Sequence, residues 1–173
     1  MRIFTSADLY SVIKERHLFI DTCLLLDVAH LNKRERGQLW SILTSFKKVG
    51  GVFVTLVPIA TEFFLGSNIE DLKIKRDYFN ALIEAILPVR TISQEVFDQL
   101  IIEYGNYAKG KVSYPDLCLA AAAKQFRTSL LVTRNHKDFP LKIFDCLGVL
   151  VIHLNNEARC YGFYQYKGQG STQ

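Results

Sequence analysis

The chain has 173 residues, about half of them apolar (49%), with a net charge of +4 from 21 Lys and Arg against 17 Asp and Glu. That length suits one domain with a single core and needs no disulfide or metal staple. The mild basic excess excludes a purely electrostatic nucleic-acid clamp. No apolar run approaches the roughly 18 residues of a bilayer span. The start, Met1-Arg2-Ile3-Phe4-Thr5-Ser6-Ala7-Asp8, lacks the basic and long apolar stretches of a secretion signal. The expectation is a cytoplasmic protein with no membrane partner.

In chain order, Thr5 or Ser6 can cap a short helix running from Asp8 to Lys14. Leu18-Phe19-Ile20 reads as a short buried strand that stops at Asp21. A helical pattern follows, with Leu39, Trp40, Ile42, Leu43 and Phe46 on one side, and Trp40 and Phe46 read as packing residues. Lys47-Lys48 and Gly50-Gly51 end it, since cations suit the last turn and glycine the cap. Val52 to Val57 is the clearest strand, apolar throughout as in a sheet covered on both faces. Pro58 opens a helix to Leu65, and a long amphipathic helix is predicted over 69–87, with Lys73-Ile74-Lys75-Arg76 on its wet face.

Pro88 to Ile92 reads as a short strand or extended link. Another helix runs from Ser93 to about Ala108, and an alanine-rich one from Pro115 to Phe126. Ser129 to Thr133 and Gly148 to Ile152 are the third and fourth strands. Alternating strands and helices predict an α/β fold: one three-layer domain with a short, mostly parallel central sheet flanked by helices. The organisation reads as an N-terminal helical extension over 1–16, a core domain over 17–155 and a C-terminal extension over 156–173. Polar, glycine-rich Lys167 to Gln173 is predicted to be disordered. Within the extension, Tyr161, Phe163, Tyr164 and Tyr166 can stack on unpaired bases, but a dimer contact or a cover for the sheet edge is the better reading.

The cysteines Cys23, Cys118, Cys146 and Cys160 form no Cys-x-x-Cys pair, which argues against structural zinc and for a reducing compartment. Cys23 and Cys118 lie in apolar runs, where a thiol acts as a small hydrophobe.

The functional signal is where the acids fall. Asp21 sits directly after the first strand, Glu62 about one helical turn beyond the second, and Asp138 a few residues after the third. Ligands of open parallel sheets bind outside the carboxyl ends of the strands, so these acids point at one rim. Asp116 joins them if the alanine-rich helix begins there. Singly, each has an ordinary reading: Asp116 as a first-turn helix acid, Glu62 as an exposed helix acid, Asp138 as a loop or cap residue. Asp21 is harder to dismiss, because its surroundings are apolar and a charge there is costly unless paired or bound to a metal. Two carboxylates ~4 Å apart repel by about 4 kcal/mol at an effective dielectric near 20. A divalent cation removes that penalty, and hard oxygen donors select Mg²⁺ or Mn²⁺. Such an ion can activate water and neutralise charge developing on a phosphate.

These residues resemble the PIN-domain pattern, closest to the VapC-type toxins of bacterial toxin–antitoxin pairs. The likeness runs through Phe19-Ile20-Asp21-Thr22, Pro58-Ile59-Ala60-Thr61-Glu62, Pro115-Asp116-Leu117 with Ala120-Ala121-Ala122, and Leu131-Val132-Thr133-Arg134-Asn135-His136-Lys137-Asp138-Phe139. It covers roughly residues 17 to 153. It implies a metal-dependent endoribonuclease that leaves a 5′-phosphate and a 3′-hydroxyl. Asp21 and Asp116 would be the principal ligands of Mg²⁺ or Mn²⁺, and Glu62 and Asp138 would bind a second ion or its waters. Thr133 and Asn135 would orient the site by hydrogen bonding. The implied partners are an RNA substrate, a small antitoxin protein and a second copy of the chain. The sixteen residues before the first strand, and the stretch past the expected last one, depart from the family's pattern.

Arg134 and Lys137 bracket Asn135, and Lys109 and Lys111 precede Asp116, so these four can hold backbone phosphates or can be ordinary solvated charge. His136 reads as a solvated loop histidine, with a phosphate contact as the alternative. Two other functions compete: a non-catalytic RNA- or protein-binding module on the same scaffold, and a phosphotransfer protein of receiver or haloacid-phosphatase type. The phosphatase expects Asp-x-Asp after the first strand, whereas Asp21 is followed by Thr22-Cys23. No glycine-rich nucleotide fingerprint is present.

Overall fold

The computed structural model describes residues 2–107, 112–153 and 157–168. In chain order the elements are α1 (Ser6–Ile13), β1 (His17–Ile20), α2 (Thr22–His30), α3 (Lys33–Lys48), β2 (Val52–Leu56), α4 (Val57–Phe64), α5 (Ile69–Leu82), β3 (Ala85–Leu87), α6 (Gln94–Tyr107), α7 (Tyr114–Gln125), β4 (Leu130–Thr133), β5 (Phe144–His153) and β6 (Ala158–Tyr166). The strands form one six-stranded sheet in the order β3-β2-β1-β4-β6-β5. β3, β2, β1 and β4 run parallel, while β6 is antiparallel to both β4 and β5. The protein is therefore an α/β single domain with a mixed, mostly parallel sheet and flanking helices.

The central strands are short because both of their faces must be apolar. All four residues of β4 are buried, as are Leu18, Phe19 and Ile20 of β1 and Phe53 to Leu56 of β2. Neighbouring residues point to opposite faces, so unbroken burial means that both faces are covered. The helix α7 packs on β1, β4 and β6, and Ala120 to Ala123 are all fully buried on it. α3 ends where Gly50 takes φ +86°, a left-handed conformation natural to glycine at a helix end. Among the described residues, no helix is long and apolar enough to cross a membrane.

Several elements differ from the pattern-based expectation. The helix expected over 69–87 stops at Leu82, and Ile83 turns extended (φ −82°, ψ 125°). Ala85–Leu87 then pairs with Val54–Leu56 as an edge strand. A run such as Ile83 to Leu87 fits either period, and the available edge of β2 decides it. Val89–Thr91 is a single 3₁₀ turn rather than a strand. Lys75 is not on a wet face: it is buried, with Nζ donating to Phe63 O and Ser67 Oγ, each at 2.7 Å.

The largest difference lies within 156–173. The aromatic stretch covers the β4 edge by becoming a strand of the sheet itself. It is β6, an inner strand between β4 and β5, with Tyr161, Phe163 and Tyr164 buried. Tyrosine suits this role because its hydroxyl finds a partner inside the fold. Tyr161 OH donates to Asp27 Oδ2 at 2.6 Å, and Tyr166 OH to Glu103 Oε1 at 2.8 Å. Lys167 is also tied down, its N–H donating to Ile143 O at 2.9 Å. The expected disorder of the remaining tail falls largely on residues 169–173, which lie outside the described residues, as do Lys109 and Lys111. All four cysteines are free.

The N-terminal segment docks on the same sheet. Phe4 N–H donates to Val149 O at 3.0 Å, and the Phe4 ring meets Phe163 edge-on at 5.6 Å. Thr5 caps α1, with Asp8 reaching back to it. A Cβ at Gly148 would fall 2.5 Å from the Phe4 ring. Gly148→Ala should therefore cost about 1–3 kcal/mol by overpacking. Thermal denaturation should show a lower Tm, by about 2–4 °C per kcal/mol in a chain of this size. The loss should be smaller in a Phe4→Leu background, and equal losses in the two backgrounds would contradict the contact.

Candidate metal centre

β1 lies between β2 and β4, so the chain leaving β1 crosses to one side first and returns on the other. Such a switch point opens a crevice at the carboxyl ends of the strands. Asp21 stands at that point, immediately after β1, as the N-cap residue of α2. Its side chain makes no capping bond. Instead Thr133 Oγ1, at the end of β4, donates to Asp21 Oδ2 at 2.5 Å, and Cys23 Sγ donates to the same oxygen at 3.1 Å. Asp21 is 5% exposed and Thr133 fully buried.

The other three acids come from separate segments. Glu62 is an exposed residue on α4, held through Oε2 by the Thr22 hydroxyl of α2. Asp116 is in the first turn of α7 and only 8% exposed. α7 precedes β4 and runs back along the sheet, which puts its N-terminus at the rim where β4 ends. Ser113 caps the helix: its Oγ accepts from Asp116 N at 3.2 Å and donates to Asp116 Oδ2 at 2.5 Å. Asp138 lies on a 3₁₀ turn over His136–Asp138 just beyond β4, where Asn135 Nδ2 donates to its Oδ2. Asn135 is held in turn, its N–H donating to Thr133 Oγ1 at 2.8 Å.

The four acids share one electrostatic environment. Burial raises the Asp116 carboxyl from the usual 3.8 to about 6; the Ser113 hydroxyl opposes the rise, and the negative charges of Asp21, Asp138 and Glu62 add to it. Burial and the charge of Asp21 likewise push the Cys23 thiol to about 12, which makes it an inert hydrogen-bond donor rather than a nucleophile. Burial, with the charges of Asp116 and Asp138, raises the Tyr104 hydroxyl well above its usual value. Tyr104 donates to Asp138 O at 2.8 Å.

As the side chains stand, among the described residues, no three His, Cys, Asp or Glu side chains are arranged to hold a metal ion. The hydrogen bonds explain the arrangement. Each acid is drawn toward its own partner through one oxygen: Asp21 toward Thr133, Glu62 toward Thr22, Asp116 toward Ser113 and Asp138 toward Asn135. Among the described residues, these side-chain hydrogen bonds engage only one oxygen of each carboxylate. The donor set is all oxygen and its members repel, which fits a hard divalent cation.

The basic residues are placed differently from one another. Lys137 is exposed on the 3₁₀ turn. Arg134 is partly exposed and forms an ion pair, Nε lying 3.0 Å from Asp27 Oδ2. Asp27 was not singled out by its position in the sequence. It is 4% exposed and pairs also with Arg159 and Tyr161. A signal was available: Asp27 falls inside an otherwise apolar helical run, where an unpaired charge cannot stay. His136 is not a solvated loop residue. Its Nδ1 is 2.7 Å from Tyr164 OH and its Nε2 is 3.2 Å from Cys160 O. A carbonyl only accepts, so Nε2 carries the proton in that bond.

No family model matches this chain, and no curated protein matches it either.

The repulsion around Asp116 has a measurable sign. A carboxyl whose folded pKa is raised contributes stability that is complete below about pH 4 and is lost as pH rises through about 6. In a chelator at neutral pH, Asp116→Asn should therefore melt higher than the parent, by about 2–4 °C for each kcal/mol relieved. The two should converge below about pH 4. Mn²⁺ should stabilise the parent more than the variant. A variant that melts lower than the parent at neutral pH would contradict the shared environment of the four acids.

Proposed function

We propose that the chain is a PIN-type endoribonuclease dependent on Mg²⁺ or Mn²⁺. The observation that carries the reading is the placement of Asp116, buried in the first turn of α7 at the sheet rim, within the electrostatic reach of Asp21, Glu62 and Asp138. Four acids from four separate segments are costly to gather there. Binding a cation offsets that cost.

In this reading Asp21 and Asp116 are the principal ligands, and Glu62 and Asp138 bind a second ion or its waters. A divalent cation held there supplies Lewis-acid activation of water and neutralises charge developing on the phosphate. The protein's own groups supply orientation. Thr133 fixes Asp21 and aligns Asn135, which fixes Asp138; Thr22 fixes Glu62 and Ser113 fixes Asp116. Lys137, exposed beside Asp138, is placed to meet a backbone phosphate, a contact that positions RNA without reading its sequence. Arg134, partly exposed and paired with Asp27 through Nε, can meet a phosphate through its terminal nitrogens. His136 has both ring nitrogens engaged, so it is not assigned the role of base.

The toxin-like reading brings two protein partners, a small antitoxin and a second copy. An apolar groove of about 740 Å³, lined by Phe64, Ile69, Leu72, Phe79 and Ile86 with Lys73 and Arg76, supports a protein contact near β3.

Purified protein should cut RNA when Mg²⁺ or Mn²⁺ is present, and chelation should stop it. The 5′-phosphate and 3′-hydroxyl ends should be identifiable on the products. Asp21→Asn and Asp116→Asn should each reduce cleavage to background. Unchanged cleavage in both variants would remove these residues from the reaction. Calorimetry that finds no divalent binding would favour the non-catalytic module.

A further inference from the structure

We propose that Asp27 is a positioning residue of the acidic centre, acting through Arg134; this rests on the metal-centre reading above. α2 holds the end of β4 at three consecutive points. At its start, Asp21 accepts from Thr133 Oγ1 at 2.5 Å. Within the first turn of the helix, Cys23 Sγ accepts the N–H of Arg134 at 3.2 Å. Further along, Asp27 meets the Arg134 guanidinium, Nε to Oδ2 at 3.0 Å. The next residue after this clamp is Asn135, which holds Asp138. The direction in which the chain leaves β4 therefore depends on Arg134, and Arg134 depends on Asp27.

Asp27 is itself immobilised. Arg159 pairs with one of its oxygens, and Tyr161 OH donates to the other at 2.6 Å, both from β6. A carboxylate this buried is stable only with its partners in place. The network joins α2, β4 and β6 just outside the acidic rim. It supplies no ligand. It fixes the distance between the Asp21 and Asp138 sides of the crevice.

Supports of this kind typically change metal affinity about 10–100-fold when removed. The test is Mn²⁺ titration followed by electron paramagnetic resonance, which counts free Mn²⁺ and does not require activity. Asp27→Asn keeps the shape and an acceptor for Tyr161 but removes the charge that holds Arg134. Arg134→Gln removes the other partner and leaves Asp27 paired with Arg159. Each should weaken Mn²⁺ binding about tenfold or more in protein that still melts cooperatively. The double variant should be no worse than the weaker single one, because both act on one link. Bulk destabilisation would instead give additive losses.

The outcomes separate the two claims. If the parent binds no Mn²⁺, or Asp21→Asn binds it as tightly as the parent, the metal-centre reading falls and this inference with it. If the parent binds Mn²⁺ through Asp21 but Arg134→Gln binds equally tightly, only the role of Asp27 falls. Should Asp27→Asn fail to fold, Arg134→Gln alone decides between these results.

Discussion

The hydrogen bond from Thr133 to Asp21 joins the two strands on which everything at the rim depends. Asp21 begins α2 but its side chain does not cap that helix, and its carboxylate is instead almost fully buried. Bringing a carboxylate out of water costs several kcal/mol unless hydrogen bonds or a counter-charge offset it. Thr133 and Cys23 supply two such bonds to a single oxygen. The parallel pairing of β1 with β4, Ile20 opposite Val132, sets the separation that makes the first of them possible. Acidic function and sheet register are thus one constraint: a slip of one residue between β1 and β4 would turn Thr133 to the other face.

The remaining acids follow the same rule at different depths. Asp116 is the most strained, since it is buried and faces three like charges. Glu62 is exposed and avoids much of the cost. Asp138 sits between these extremes, on a turn whose shape is imposed by Asn135 and, behind it, by the Arg134–Asp27 pair. A rim assembled from four segments in this way cannot be made by any one of them. Its parts are individually ordinary, a cap box here and a loop acid there.

Much of the fold was legible because the central strands leave little choice. Uninterrupted apolar runs such as Val52–Leu56 and Leu130–Val132, spaced by amphipathic helices, dictate a sheet covered on both sides. The common placement of Asp21, Glu62, Asp116 and Asp138 was legible for a related reason, since each follows a strand or opens a helix at the same end. What was not legible depended on pairing across long separations. Ile83–Leu87 has no periodicity that separates a helix end from a strand, and β2 resolves it. Residues 158–166 look like a loose aromatic tail until Tyr161, Tyr164 and Tyr166 find Asp27, His136 and Glu103 for their hydroxyls. Arg134 read as a free rim cation, because Asp27 is more than a hundred residues away and its place in an apolar run says that it needs a partner but not which one.

The place of β6 bears on how the molecule comes into being. Synthesis proceeds from the N-terminus, and segments assemble as they emerge. β1, β2 and β4 can meet once residue 133 has emerged, but β4 then presents a bare edge, and unpaired edges invite wrong partners. Residues 158–166 cover that edge: β6 lies between β4 and β5 and brings Tyr161 and Arg159 to Asp27. On the nuclease reading, a growing chain still attached to its ribosome lacks the brace behind its acidic rim. The brace draws on the last described strand of the sheet, so a fragment that ends before residue 158 carries all four acids and none of the β6 half of their support.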